Sequence, residues 1–349
     1  MGRATLWVLS LLWGCGGAKV VPAVVQSDNP CEFTGAEGKY VEHLVVPNSH
    51  AIMTNSLAGR DNQNLTPILE AFYEKHDDVF DFLVLFVPNS SGNRAAGIYH
   101  QVGLERAWEV NGASPSVPEL HKIAPNLDGV LIMATNKQGH FGGPVLHELA
   151  HEFGVYIKPF WGREQVSPHW KMTSVDGNLG GFEADSLSCF SPVGEMPPNC
   201  DEVKPGRFEV LVDSFGYNAN DAGNGYYAPL ELYMFGLLPP EEVPPTLILK
   251  DGVQVKERSS SIQYTMEVSA VETVTIEEIL ELNGGARPMV PIGERTRRAA
   301  FVLVTEDKTD TDGLDRIREL AMGYGGVERF TPLSYCMATR GLAKLRTDL

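Results

Sequence analysis

The run His147-Glu148-Leu149-Ala150-His151 places two imidazoles four positions apart, with a carboxylate next to the first. On a helix, positions i and i+4 share a face, so both rings can grip one metal ion while Glu148 lies beside the water on that ion. Such a trio can deprotonate water for attack on a polarised bond. With nine histidines in 349 residues, chance yields this pattern on the order of one or two times in a hundred. The surroundings also fit. Gly142-Gly143-Pro144 starts a helix, with Pro144 suited to its first turn, and the spacing predicts that Val145 to Tyr156 continues it. Leu146, Leu149 and Phe153 supply its core face, and a buried-type strand, Leu127 to Ala134, precedes it. The competing account is a helix whose two histidines merely face solvent.

Extended to Gly154, the pattern reads H-E-x-x-H-x-x-G and resembles that of the zincin metallopeptidases. The resemblance implies Zn²⁺ held by His147 and His151, with Glu148 taking a proton from the bound water and passing it to the leaving amine. A looser resemblance, over about residues 80 to 349, is to a group of exported bacterial zincin-like proteins. It is carried by Leu146-His147-Glu148, His169-Trp170, Pro229-Leu230-Glu231-Leu232-Tyr233-Met234-Phe235-Gly236 and a charged helix at Asp312 to Met322. The position of the third metzincin histidine is Ile157, so that subclass signature fails. His169 is the first candidate for a third ligand, since the loop before it is long enough to return to the helix and neutral imidazole is a preferred zinc ligand. Glu231 is the second, by resemblance to the gluzincins, in which a carboxylate on a second helix completes the site; Glu183, Asp185 and Asp221 follow. Without metal, Glu231 reads as a first-turn acid favoured by the helix dipole.

Other residues carry weaker signals. Met234 could lie beneath a metal as in a metzincin turn, but between Leu232 and Phe235 it reads first as core. Tyr226, Tyr227 and Tyr233 could donate to an oxyanion, with aromatic packing the plainer account. Asp310, Asp312, Gly313 and Glu319 match part of a calcium loop, yet Lys308 occupies its first ligand position. Asp310 or Asp312 is therefore expected to cap a helix. Asn220 and Asp221 sit in a Gly-rich turn cluster that could bind Ca²⁺ and more simply is a turn.

The elements that must position these residues can be read from periodicity. Strands are expected at Tyr40 to Val46, Phe80 to Val87, Gly97 to Val102 and Leu127 to Ala134, with a helix at Leu65 to His76. Residues 161 to 227 are loop-rich apart from a strand at Phe208 to Val212. A helix follows at Leu230 to Leu237, stopped by Pro239-Pro240. Strand-like text at Thr246 to Lys250, Gln263 to Val268, Thr273 to Thr275 and Ala299 to Thr305 alternates with helices at Ile276 to Leu282 and Asp312 to Met322. The expected fold is α+β and zincin-like: a mixed sheet packed on the motif helix over residues 31–245, then a C-terminal α/β lobe over 246–349.

Arg3, the apolar stretch from Ala4 to Trp13 and Gly14-Cys15 read as an export signal over 1–15. Leu12-Trp13-Gly14-Cys15 resembles a lipobox, so Cys15 would carry lipid, with 16–30 as a tether. Export as a cell-envelope lipoprotein or a secreted protein suits the remaining four cysteines, for which Cys189 with Cys200 and Cys31 with Cys336 is the favoured pairing. A formal charge of −17 repels phosphate backbones and argues against nucleic acid as partner. No later apolar run is long enough to span a bilayer. The expected partner is a peptide or protein substrate, with membrane contact only through lipid on Cys15 and the chain a monomer. The alternative function is a non-catalytic, lipid-anchored surface or binding protein on the same scaffold.

Overall fold

The computed structural model describes Cys31 and residues 38–57, 65–87, 97–102, 118–134, 143–152, 169–189, 208–212, 215–216, 225–257, 264–286, 289–311, 313–327 and 333–349. The expectations for residues 1–30 and for Phe153, Gly154, Ile157, Cys200, Asn220, Asp221 and Asp312 fall outside these. The fold is mixed α/β, with a mixed sheet and eight α-helices among the described residues. None of those helices is long and apolar enough to cross a membrane.

Six strands build the main sheet: β1 (Val41–Val45), β2 (Phe82–Val87), β3 (Gly97–Gln101), β4 (Gly129–Ala134), β5 (Thr296–Thr305) and β6 (Lys344–Arg346). Their order is β1-β5-β2-β4-β3, with β6 joined to the start of β5. All the pairings are parallel except β3 with β4. Every residue of β2 and β4 is buried, which explains their unbroken apolar text: a parallel sheet covered on both faces has no polar side. Alternate residues feed two cores. Phe82, Val84, Phe86, Leu131, Met133, Phe301 and Leu303 face the motif helix, Gly143–Ala150. Leu83, Leu85, Val130, Ile132, Val302 and Val304 face the opposite way, onto Met53, Ile68, Leu69 and Phe72.

The C-terminal residues do not stand apart as the expected lobe. β5 lies between β1 and β2 in the middle of the sheet, and Cys31–Leu349 is one compact unit. The apolar content of Ala299 to Thr305 was legible, but its strand partners lie more than 200 positions earlier and leave no local trace. Cys31 is bonded to Cys336, as the cysteine arithmetic favoured. Cys189 is also disulfide-bonded, while its expected partner Cys200 lies outside the described residues.

A smaller sheet of Leu187–Cys189, Phe208–Val212, Tyr264–Val268 and Val253–Glu257 has its own core around Phe182, Val210, Met266 and Val268. The expected acidic helix runs Leu314–Tyr324. Gly313, with φ 93°, stands at its N-cap, so Asp310 is not the N-cap residue. Glu319 instead accepts from Arg316 one turn earlier.

Candidate metal centre

The motif helix is held at both ends. Tyr227 donates its hydroxyl to the Leu146 carbonyl at 2.8 Å, and the buried Tyr324 hydroxyl meets the Val145 backbone. That use of Tyr227 removes it from the candidate oxyanion donors. Tyr233 is buried in the core and Tyr226 is exposed. Beyond Ala150 the chain tightens: His151 N–H donates to Glu148 O and Glu152 N–H to Leu149 O, both three residues back. The regular helix runs Gly143–Ala150 with a turn at His151 and Glu152, and the rest of the expected span to Tyr156 lies outside the described residues. Glu152 then accepts from Arg297 on β5 at 2.7 Å, and the same guanidinium pairs with Asp81 before β2 and Asp128 before β4. The end of the helix that carries His151 is thereby tied to the sheet.

His169 arrives on a hairpin. Trp170 N–H donates to Leu179 O, Phe182 N–H to Thr173 O, and Gly177 and Gly180 exchange hydrogen bonds at the tip. The first of these bonds brings the Asn178–Leu179 segment back beside His169 and Trp170. The Asn178 carbonyl accepts from His147 Nδ1 at 2.8 Å, which leaves Nε2 of His147 with its lone pair directed inward. His151 Nε2 and His169 Nε2 each lie 3.1 Å from His147 Nε2. Nitrogens on one tetrahedral ion with bonds of about 2.0–2.1 Å stand roughly 3.3 Å apart, so this convergence has the size of a metal site. One ligand atom from each ring lies within 4.8 Å of the others.

Electrostatics agree with the geometry. Burial holds the His147 ring down to about 4, though its bond to Asn178 works the other way. Burial, followed by the nearness of His147 and Lys171, takes His169 down to about 3. Both rings are therefore neutral donors at pH 7, the form that binds metal. Glu148, 5% exposed, is pushed up to about 8 by burial.

No family model, curated protein or solved structure matches this chain. The site therefore has to be judged by its own geometry. That geometry brings together His147, His151 and His169, with Glu148 adjacent in sequence on the same helix. Glu183 and Asp185 are exposed on a short 3₁₀ turn and take no part in the cluster. Glu231 is turned elsewhere: its carboxylate accepts from four N–H groups, those of Trp170 Nε1, Asn178, Leu179 and Ala228. Met234 is buried in the core that also contains Leu146 and Leu149.

Sequence reasoning missed Asn178, whose contribution is a backbone carbonyl and so has no residue-type signature. It also missed Gly97 at the start of β3. A Cβ built there would stand 2.8 Å from Glu148 Oε1 and 2.9 Å from Met133 Cε, so the absence of a side chain lets the carboxylate rest against the edge strand. Gly97→Val is expected to displace Glu148 and lower kcat by about 10- to 100-fold, since a shift of about 1 Å at a reacting group costs on that order. Steady-state kinetics with metal content measured in parallel would check it; parental kcat in a folded variant would contradict the contact.

Proposed function

We propose that this protein is an exported zinc-dependent peptidase on a zincin-like scaffold. The observation that carries the reading is the convergence of three imidazoles, from the motif helix and the hairpin, with the buried Glu148 next in sequence to the first of them. A divalent ion held by His147, His151 and His169 would act as a Lewis acid and lower the pKa of a water. His147 is held in one tautomer by Asn178, so its Nε2 stays available as a donor. Glu148 takes the proton from the attacking water and hands it to the leaving amine nitrogen. A carboxyl that burial brings near neutrality is suited to moving a proton in both directions. The substrate is a peptide or protein. Zinc is favoured over harder cations by an all-imidazole donor set, which offers no carboxylate or carbonyl oxygen.

Export through residues 1–15, with lipid on Cys15 or simple secretion, accords with the Cys31–Cys336 disulfide, since such bonds persist outside reducing compartments. Purified chain is expected to contain one zinc ion and to hydrolyse an unstructured protein substrate. A chelator should stop hydrolysis and added Zn²⁺ should restore it. Stoichiometric zinc without cleavage of any member of a diverse peptide library would defeat the peptidase reading and favour the non-catalytic scaffold. A chain that binds no zinc would defeat both metal-based accounts.

A further inference from the structure

Glu231 is 2% exposed, and both of its oxygens are fully engaged. Oε1 accepts from Trp170 Nε1 and the Leu179 N–H, each at 2.9 Å. Oε2 accepts from the Asn178 N–H at 3.0 Å and the Ala228 N–H at 2.9 Å. A carboxylate offers about four lone-pair sites, and here all are met by donors. Burial pushes this carboxyl up and its four N–H donors pull it back; a proton on either oxygen would face an N–H with nothing to receive it, so the donor geometry favours the ionised form. Among the described residues no cationic side chain pairs with it. The fit is close: a Cβ on Gly177 would lie 2.3 Å from Oε2, so the hairpin tip reaches the carboxylate only because that position is glycine.

The partners of this carboxylate lead in two directions to the three-imidazole cluster. The Leu179 N–H that donates to Oε1 belongs to the same peptide group as the Asn178 carbonyl, which accepts from His147 Nδ1. A continuous chain therefore runs from Glu231 through one peptide unit to the imidazole. Each bond in such a chain polarises the next. The Trp170 indole forms the second arm, and Trp170 directly follows His169 in the hairpin.

We propose that Glu231 is the outer carboxylate of the metal centre, a positioning residue that acts on His147 through the Asn178–Leu179 peptide and on His169 through Trp170. This rests on the reading of the three histidines as metal ligands. Carboxylates that back a ligand histidine directly fix its tautomer and raise its donor strength. Here a peptide group is interposed, so one buried anion serves two ligands at once.

The test is metal binding by the full-length chain, measured for Zn²⁺ by competition with a chromophoric chelator and for Co²⁺ by its visible absorption. Glu231→Gln keeps the shape but replaces one acceptor oxygen with an NH₂ that faces N–H donors. It is expected to raise the Zn²⁺ Kd about 10- to 100-fold and to move the Co²⁺ bands. Trp170→Phe removes only the second arm and is expected to cost less. A merely structural role would lower the melting temperature of the metal-free chain while leaving the parental Kd and Co²⁺ bands in place, and that result overturns the proposal. Should Glu231→Gln fail to fold, the parent itself decides. In the Co²⁺-loaded chain, the hyperfine-shifted His147 Nδ1 proton should exchange slowly with solvent, and exchange as fast as from an open imidazole overturns the relay. A parent that binds neither ion overturns the metal reading as a whole, whereas a parent that binds both, matched by its Gln variant, overturns only the role of Glu231.

Discussion

Glu148→Gln is expected to lower peptide hydrolysis by about 10²- to 10⁴-fold while leaving zinc content at the parental level. The amide has the same size and can occupy the same buried position, but it cannot accept a proton at working pH. A metal at this site would be held by rings on other residues, so binding and turnover should separate. Equal rates for parent and variant, with zinc present in both, would remove Glu148 from the mechanism. The same substitution has a second consequence, visible in chelated protein. Burial raises Glu148 from 4.5 to about 8, so its contribution to folding is fully present below about pH 4.5 and is lost as pH climbs through about 8. His147 and His169 act in the opposite sense. Their folded values, about 4 and about 3, lie below the ordinary 6.5, so they favour the fold above that value and work against it as pH falls. Metal-free parent should therefore be most stable in weak acid and weaken on both sides. The Gln variant should lose only the alkaline decline, and melting curves from pH 4 to 9 in chelator would show it. Parallel curves for the two proteins would contradict the buried, neutral carboxyl.

His169→Ala should be the more severe change at the metal. Removing one of three imidazoles would discard one proposed coordination bond, and zinc affinity is expected to fall roughly 10³-fold, taken as a quarter of the binding free energy of a closed structural site. Hydrolysis should vanish with it at ordinary zinc concentrations. Titration with a competing chelator would measure the loss. The comparison with Glu231→Gln is informative in its order: the ligand substitution must weaken binding more than the outer one. The reverse order would mean that Glu231 reaches the ion and His169 does not.

The parts of the site that could be read from residue order share one property: their geometry is local. His147, Glu148 and His151 are related by a single helical turn, so spacing alone puts them together. His169 was recognisable by the chemistry of its ring and by a loop long enough to bring it back. The role of Glu231 was not recognisable, because its partners are mostly main-chain N–H groups at Asn178, Leu179 and Ala228, and any residue but proline offers one. A first-turn acid of a helix starting at Pro229 looked like a dipole contact or a ligand, and it is a clasp for a hairpin some fifty positions earlier. The strands followed the same rule. Val84 and Leu131 announce burial through their neighbours, and β2 and β4 were found where expected. Nothing in Ala299 to Thr305 says which strands it joins, because parallel partners are chosen across long stretches of chain. The disulfide between Cys31 and Cys336 was accessible by counting, since few cysteines leave few pairings.

The central place of β5 has a consequence for how the molecule is made. β1 and β2 are completed some two hundred residues before the strand that separates them emerges, and until then each presents an unsatisfied edge. The floor beneath the motif helix thus cannot close before β5 has been synthesised. A chain of this design stays threadable until β5 has been made, and only then do His147, His151 and His169 stand on a finished floor.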